Sequence, residues 1–246
     1  MKPVIVIPAR MASTRLPGKP LADIAGRPMI VRVCERARAA DIGPVWVAAA
    51  ELEIAEVVEN AGFSAVLTDP DLPSGSDRVH AALEAIDPGR SYEAIINLQG
   101  DMPTLAPEAL RAVLAPLIMR ADCDVATLAA AIDSDEEAGD PNVVKAVLGA
   151  ATDNQARAYY FSRATVPTGE GVLWHHVGVY AWRRMALDAF VAAPPSVLEQ
   201  RERLEQLRAL ELGMRIDCAV LPGAAPNGVD TAEDLEAARA HYRTTP

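Results

Sequence analysis

Three cationic side chains, Arg10, Arg15 and Lys19, fall within ten residues of one another in the stretch P-A-R-M-A-S-T-R-L-P-G-K-P, Pro8 to Pro20. Two hydroxyls, Ser13 and Thr14, and the flexible Gly18 lie among them. Fixed positive charge beside free backbone N–H groups is the chemistry of phosphate binding. The stretch is not a Walker A loop, because Ser13 and Pro20 stand where that motif needs a glycine and a Ser or Thr. Nor does it hold the G-x-G-x-x-G of a dinucleotide fold. Pro17 and Pro20 restrict the backbone, so fixing these cations costs less entropy than in an unconstrained, merely solvated basic loop.

Two further segments carry carboxylates. Q-G-D, Gln99 to Asp101, directly follows an apolar run, and N-G-V-D ends on Asp230 just before the last helical segment. A carboxylate at a strand's carboxyl end can hold a divalent cation, and the adjoining glycine lets a nucleotide approach. Each has a plainer reading: Gly-Asp is ordinary turn chemistry, and Asp230 could help cap the helix that follows. Jointly, two carboxylates opposite a cationic loop form a Mg²⁺–triphosphate site.

The elements that must position these groups alternate strand and helix. Val4 to Ile7 reads as a buried parallel strand, and Val45–Ala48, Ala65–Leu67 and Ala94–Leu98 read as its partners. Between them apolar residues recur at helical spacing: Ile30, Val33, Cys34 and Ala37; Ile54, Val57, Val58 and Ala61; Val79, Ala82, Leu83 and Ile86. Leu110, Val113, Leu114 and Leu117 form a fourth stripe. Ser74 or Ser76 is available to cap the third helix. The pattern predicts an α/β fold with an open, mainly parallel sheet and helices on both faces. Ligands bind beyond the carboxyl ends of such strands, where the loops at 8–20, 74–78 and 99–101 fall. Between about 125 and 182 strands follow one another, Val125–Ala129, Val143–Leu148, Ala158–Ser162 and His175–Trp182, which predicts an antiparallel extension. After Pro194-Pro195 one helix is expected to run to Gly213, its C-terminal stop, then a strand over Arg215–Leu221. Thr231 with Asp234 resembles a capping box for the last helix. Without a repeat or clear linker, residues 1–246 read as one domain.

Composition excludes several classes. At 246 residues, 50% apolar and 23% charged, the chain suits a soluble globular protein. The net charge of −11 argues against a nucleic-acid partner, although Lys and Arg gather in the first forty residues, as a cleft for small anions would need. Cys34, Cys123 and Cys218 are scattered and odd in number, which suggests reduced thiols packed in a core. Pro8 and Arg10 interrupt the N-terminal apolar run, so no signal peptide is expected. No segment approaches the ~18 apolar residues of a membrane span. A cytoplasmic protein without membrane insertion is expected.

R-M-A-S-T-R-L-P-G-K-P-L closely resembles the nucleotide loop of the CMP-3-deoxy-manno-octulosonate cytidylyltransferases (CMP-Kdo synthetases), which are related to the CMP-sialic acid synthetases. The resemblance continues in order through S-G-S-D-R (Ser74 to Arg78), N-L-Q-G-D-M-P, P-N-V-V-K (Pro141 to Lys145), Y-F-S-R-A-T-V-P (Tyr160 to Pro167), H-V-G-V-Y (His176 to Tyr180), L-E-Q-L-R (Leu204 to Arg208) and G-V-D-T (Gly228 to Thr231). It implies a Rossmann-like fold of the nucleotide-diphospho-sugar transferase type. The implied reaction moves CMP from CTP to a 2-keto-3-deoxy sugar acid, with release of pyrophosphate, for lipopolysaccharide synthesis.

By the same resemblance, Arg10, Arg15, Lys19 and Asp101 are catalytic, and Asp101 and Asp230 hold Mg²⁺. Pro8, Ala9, Arg10, Ser13, Lys19, Ser74, Gly75 and Asp77 would meet the nucleotide. Arg78, Gln99, Arg163, His176, Tyr180 and Gln206 would face the sugar acid. A homodimer formed through the antiparallel extension is also implied. Three departures stand out: Met102 replaces a common Glu, the segment P-T-G-E-G is short, and Ala50 replaces an acid of the family's V-A-T-D. The alternatives are a cytidylyltransferase for another acid sugar of the sialic-acid type, or a nucleotide-binding regulator without turnover.

Overall fold

The apolar run at the start of the chain forms β1 (Pro3–Ala9) in a computed structural model that describes residues 1–13 and 15–244. Val4 to Ile7 are wholly buried with no polar alternation, as a strand covered on both faces requires. A short 3₁₀ turn (Lys19–Leu21) follows the cationic loop, then the two-residue strands β2 (Asp23–Ile24) and β3 (Arg27–Pro28) and helix α1 (Met29–Ala39). β4 (Val45–Ala49), α2 (Leu52–Asn60), β5 (Ser64–Leu67), α3 (Gly75–Ile86) and β6 (Ala94–Asn97) continue the alternation. The four larger strands run parallel in the order β5-β4-β1-β6, with Ala9 opposite Ala49 and Ala49 opposite Leu67. Their carboxyl ends thus share one edge. Residues Met1–Leu110, with those from Pro226 on, form one unit of the chain, and Arg111–Ala225 form another.

Helix α4 (Pro107–Met119) begins in the first unit and ends in the second. The second unit then contains β7 (Val125–Ala131), α5 (Asp135–Gly139), β8 (Lys145–Leu148), β9 (Gln155–Ser162) and β10 (Trp174–Arg183). After these come α6 (Arg184–Ala192), α7 (Val197–Glu202), α8 (Gln206–Glu211) and β11 (Ile216–Val220). Its strands lie in the order β10-β7-β11-β9-β8. The antiparallel extension is present in the pairs β10–β7, β11–β9 and β8–β9. However, β11 enters it parallel to β7, with Ile216 opposite Val125. This unit's sheet is therefore mixed.

The single helix expected before Gly213 is instead two short ones. Arg203 adopts φ +57°, which ends α7, and the chain re-enters helix at Gln206. The Glu199 carboxylate supports this break: it accepts the Ser196 N–H at 2.8 Å and the Arg208 guanidinium at 2.5 and 2.8 Å. Gly213 does stop α8, at φ +78°.

The chain finally returns to the first unit as α9 (Ala232–Thr244). Its Leu235 and Ala238 join Ile24, Met29 and Val229 in a buried cluster against which Leu16 and Tyr242 pack. Ile24, Met29, Val229 and Leu235 each contribute roughly 1.5–3 kcal/mol when fully buried. Leu16 belongs to the cationic loop and Val229 precedes Asp230, so this cluster seats both. All three cysteines are buried and free, as a reduced core requires. Among the described residues no helix is long and apolar enough to cross a membrane.

Candidate functional site

A cleft of about 390 Å³ opens at the carboxyl edge of the first unit's sheet. Its lining takes Pro8, Ala9, Arg10, Ser13, Arg15 and Lys19 from the cationic loop, Ser74, Gly75 and Arg78 from the start of α3, and Gln99, Gly100 and Asp101 from the loop after β6. Asp230 completes it. The sequence spread these residues over more than two hundred positions; the parallel strands bring them to one place. Arg10, Arg15, Lys19 and Arg78 against Asp101 and Asp230 make four cations to two anions, in a chain of net charge −11. The excess favours a polyanionic ligand. Thr14 lies outside the described residues.

Backbone geometry explains the glycines. Gly18 sits at φ +69°, which admits the 3₁₀ turn that begins with Lys19. A Cβ at Gly100 would come within 3.0 Å of the Pro8 carbonyl, so the two loops meet backbone to backbone. Within the cationic loop, the Leu16 N–H donates to Ser13 Oγ at 3.3 Å.

Lys19 reaches both carboxylates. Its Nζ donates to Asp101 Oδ2 at 2.7 Å and to Asp230 Oδ1 at 2.9 Å, and Arg15 Nη2 lies 3.0 Å from Asp230 Oδ2. Burial alone would lower the Lys19 ammonium, but the charge of Asp101, then that of Asp230, outweighs it and holds the group above its ordinary value. Gly100 and Asp101 do form a turn, with the Met102 N–H donating to the Gln99 carbonyl at 3.4 Å, whereas the capping reading of Asp230 falls away. Capping of α9 is done by Thr231 and Asp234: Thr231 Oγ1 accepts the Asp234 N–H at 3.2 Å, and Asp234 Oδ2 accepts the N–H groups of Thr231 and Asp230 at 2.9 and 3.0 Å. The Asp230 carboxylate is therefore left to the cleft. The Asp101 carbonyl accepts the Val229 N–H at 2.8 Å, which ties the two acidic loops together.

Other residues singled out by the sequence are held by their neighbours. Ser74 caps α3, accepting the Asp77 N–H at 3.2 Å and donating its hydroxyl to Asp77 Oδ2 at 2.5 Å. Asp77 braces Ser74 and does not itself line the cleft. Arg78 is buried and donates to Thr68 Oγ1 and to the carbonyls of Asp69 and Pro70. Burial lowers its guanidinium, opposed by the charge of Glu51 and aided by that of Arg10. Gln99 is oriented by the fully buried Asn97, whose Oδ1 accepts from Gln99 Nε2 at 3.0 Å. Met102 is buried, and its thioether brings no charge beside Asp101.

Arg163, His176, Tyr180 and Gln206 all lie in the second unit. Arg163 donates to the carbonyls of Pro141 and Glu202, each at 3.0 Å. His176 is buried, and desolvation, followed by the charge of His175, pushes it down to about 3, so the ring is neutral at ordinary pH. Thr127 Oγ1 donates to the Val179 carbonyl at 2.8 Å and so accepts from His176 Nε2 at 2.9 Å. The lone pair then falls on Nδ1, 3.4 Å from Gln206 Nε2. Tyr180 is buried beside His176, with ring centroids 5.6 Å apart, and burial raises its phenol well above the usual value. Thr127 and Asn97 escaped the sequence reading. Their signal was a polar residue inside an apolar strand, V-A-T-L-A and I-I-N-L.

The family model for cytidylyltransferases matches residues 4–216. The chain belongs to that family. It is 59% identical over 237 residues to a 3-deoxy-manno-octulosonate cytidylyltransferase of Azorhizobium caulinodans, covering 96% of this chain and 94% of the relative. A protein of the same name from Rhodospirillum rubrum is 59% identical over 239 residues, covering 97% and 94%. A solved structure of CMP:2-keto-3-deoxy-manno-octonic acid synthetase complexed with CTP superposes with a TM-score of 0.90 at 40% identity, covering 99% of both chains. UDP-glucose pyrophosphorylase, at a TM-score of 0.68 and 13% identity, covers all of both chains and shares the fold alone. This cytidylyltransferase thus has the α/β fold of the nucleotide-sugar transferases.

Proposed function

We propose that the chain transfers CMP from CTP to 3-deoxy-manno-octulosonate and releases pyrophosphate, a step in lipopolysaccharide synthesis. The observation that carries this reading is the convergence of Asp101 and Asp230 on one cation, Lys19 Nζ, inside a cleft rich in further cations. The names of the relatives supply the acceptor.

In this reaction the anomeric hydroxyl oxygen of the sugar acid attacks the α-phosphorus of CTP. A new C–O–P linkage forms, the bond from that phosphorus to the pyrophosphate oxygen breaks, and the hydroxyl proton is released to water as pyrophosphate leaves. Both reactants are anions, so repulsion and misalignment make much of the barrier. Arg10, Arg15 and Lys19 spread the triphosphate's charge and hold its phosphates for in-line attack. No covalent intermediate on the protein is required. The Lys19 ammonium is a stand-in ion for Mg²⁺: two carboxylate oxygens already lie within 2.9 Å of one cation, and hard oxygen donors suit that metal. Asp101 and Asp230 would hold it. When bound, it neutralises charge developing on the phosphates.

Pro8, Ala9, Ser74 and Gly75 frame the nucleotide base, with Asp77 fixing Ser74. Arg78 and Gln99, both in the lining of the cleft, recognise the sugar acid. The neutral His176 accepts from Gln206 and so sets which way that amide faces. The protein works in the cytoplasm as one nucleotidyltransferase domain over 1–246, with helices on both faces of its sheet. It is a homodimer through about 125–182.

Pyrophosphate release from CTP, ATP and GTP, with Mg²⁺ and a panel of keto-sugar acids, tests this. CTP with 3-deoxy-manno-octulosonate should far outrun every other pair, since a site matched to one base edge leaves groups unpaired with another. Equal turnover with purine nucleotides sinks the assignment. Preference for a sialic acid moves it to the related synthetases, and CTP binding without any turnover makes the chain a regulator.

A further inference from the structure

Ala50 directly follows β4, its N–H donating to the Ala9 carbonyl at 2.9 Å, and its methyl offers no acceptor to the loop beyond. Glu51 follows in extended backbone, φ −122° and ψ 147°, at the N-cap position of α2. The customary caps at that position are the shorter Ser, Thr, Asp and Asn, so the longer Glu side chain is free to reach elsewhere. Glu51 makes no capping side-chain bond. Its Oε2 instead accepts the N–H of Met11, forty residues away, at 3.0 Å.

Met11 is the first residue after Arg10, so this bond grips the cationic loop where it leaves β1. The other end of the loop is seated by Leu16 in the apolar cluster beneath α9. Between the two anchors lie Ser13 and Arg15, both in the cleft lining. The Glu51 carboxylate also places negative charge near Arg78, which Arg10 repels. It thus both fixes the loop backbone and eases the crowding of two cations while no polyanion is bound.

We propose that Glu51 is a positioning residue for the triphosphate: it touches no reacting atom, and it holds the Arg10–Met11 turn in the shape that presents Arg10 and Arg15. The inference rests on the reading of the cleft as a CTP site.

The test compares wild type, Glu51→Ala and Glu51→Gln. CTP with Mg²⁺ is titrated calorimetrically in the absence of sugar acid, and steady-state KM values are taken for CTP and for the sugar acid. A lost charge-assisted hydrogen bond predicts CTP binding weaker by about tenfold or more in Glu51→Ala. The sugar-acid KM should change less than threefold. Glu51→Gln keeps a carbonyl acceptor for the Met11 N–H and should recover most of the loss. A purely structural role would move both KM values together and would not give this split. Unchanged CTP affinity in Glu51→Ala overturns the proposal, as does a Glu51→Gln variant as weak as the alanine. If wild type binds no CTP, the underlying reading of the cleft fails with it; if wild type binds and Glu51→Ala binds equally, only the role of Glu51 falls.

Discussion

Replacing Lys19 by methionine keeps the length of the side chain and removes the ammonium from between Asp101 and Asp230. The structure sets the scale. Lys19 is 14% exposed, Asp101 29% and Asp230 45%, with bonds of 2.7 and 2.9 Å. The Lys19–Asp101 pair lies between an exposed ion pair, worth about 0–1 kcal/mol, and a buried one, whose breaking costs about 3–5. Asp230 is nearly half exposed and keeps Arg15 at 3.0 Å, so its share is screened to well under about 1 kcal/mol. A total near 2 kcal/mol follows, which for a chain of this size lowers Tm by about 4–8 °C. Divalent metal should then behave oppositely in the two proteins. In wild type the ammonium already neutralises the acids, so Mg²⁺ without nucleotide should shift Tm little. In Lys19→Met, Asp101 loses its cation and Asp230 keeps only Arg15, and Mg²⁺ should restore part of the loss with the logarithmic concentration dependence of ligand linkage. Differential scanning calorimetry with EDTA and with graded MgCl₂ measures both effects. Turnover should stay at least about a hundredfold down even at saturating metal, because the cation that meets the triphosphate is gone. An unchanged Tm, or an equal response of both proteins to Mg²⁺, would refute the view that Lys19 and a divalent ion share one acidic pair.

Asp101→Asn and Asp230→Asn should each remove most activity at limiting Mg²⁺ with little loss of stability, since Thr231 and Asp234 cap α9 without Asp230; near-normal turnover strikes that residue from the site. Asp234→Ala should do the reverse in proportion, costing about 1 kcal/mol in a denaturant titration. His176 titrates near 3 when folded and near its ordinary 6.5 when unfolded, so the unfolded state binds the extra proton between those values. Its contribution to stability is complete above about pH 6.5 and falls as the pH drops towards 3, by up to about 1.4 kcal/mol per pH unit. His176→Gln should flatten that slope of Tm against pH, and an unchanged slope would show that the ring is not buried neutral. Burial pushes the thiols of Cys34 and Cys123 up to about 12 and raises that of Cys218, so none should react with a disulfide reagent at pH 8 until the protein is denatured.

Much of the site was legible because its residues flank buried parallel strands. An unbroken apolar run such as Val4–Ile7 or Ala94–Ile96 can only be covered on both faces, and in such a sheet ligands meet the loops at the carboxyl ends. Local chemistry was enough for the capping of α9 by Thr231 with Asp234, and it narrowed the cap of α3 to Ser74 or Ser76, of which the structure uses Ser74. The two-helix segment at 197–211 was not legible, because Leu204, Leu207 and Leu210 keep a helical period straight across the break. The break is supported by the Glu199–Arg208 pair, which forms only when α8 folds back on α7. The parallel entry of β11 beside β7 was likewise hidden, since those strands are some ninety residues apart and periodicity carries no partner.

The sequence by itself determined the local terms: the strands and helices of the first half, where the cations cluster, and which carboxylate follows a buried strand. Periodicity, turn chemistry and charge are properties of neighbouring residues, so they survive without a fold. Tertiary structure alone decided what each polar group does. Asp230 is released to the cleft because Asp234 takes its backbone N–H, Gln99 is aimed by a buried asparagine, and Glu51 leaves its own helix to hold Met11. Those choices depend on which donor lies within hydrogen-bond reach after the chain has closed, a condition that spacing along the chain does not contain.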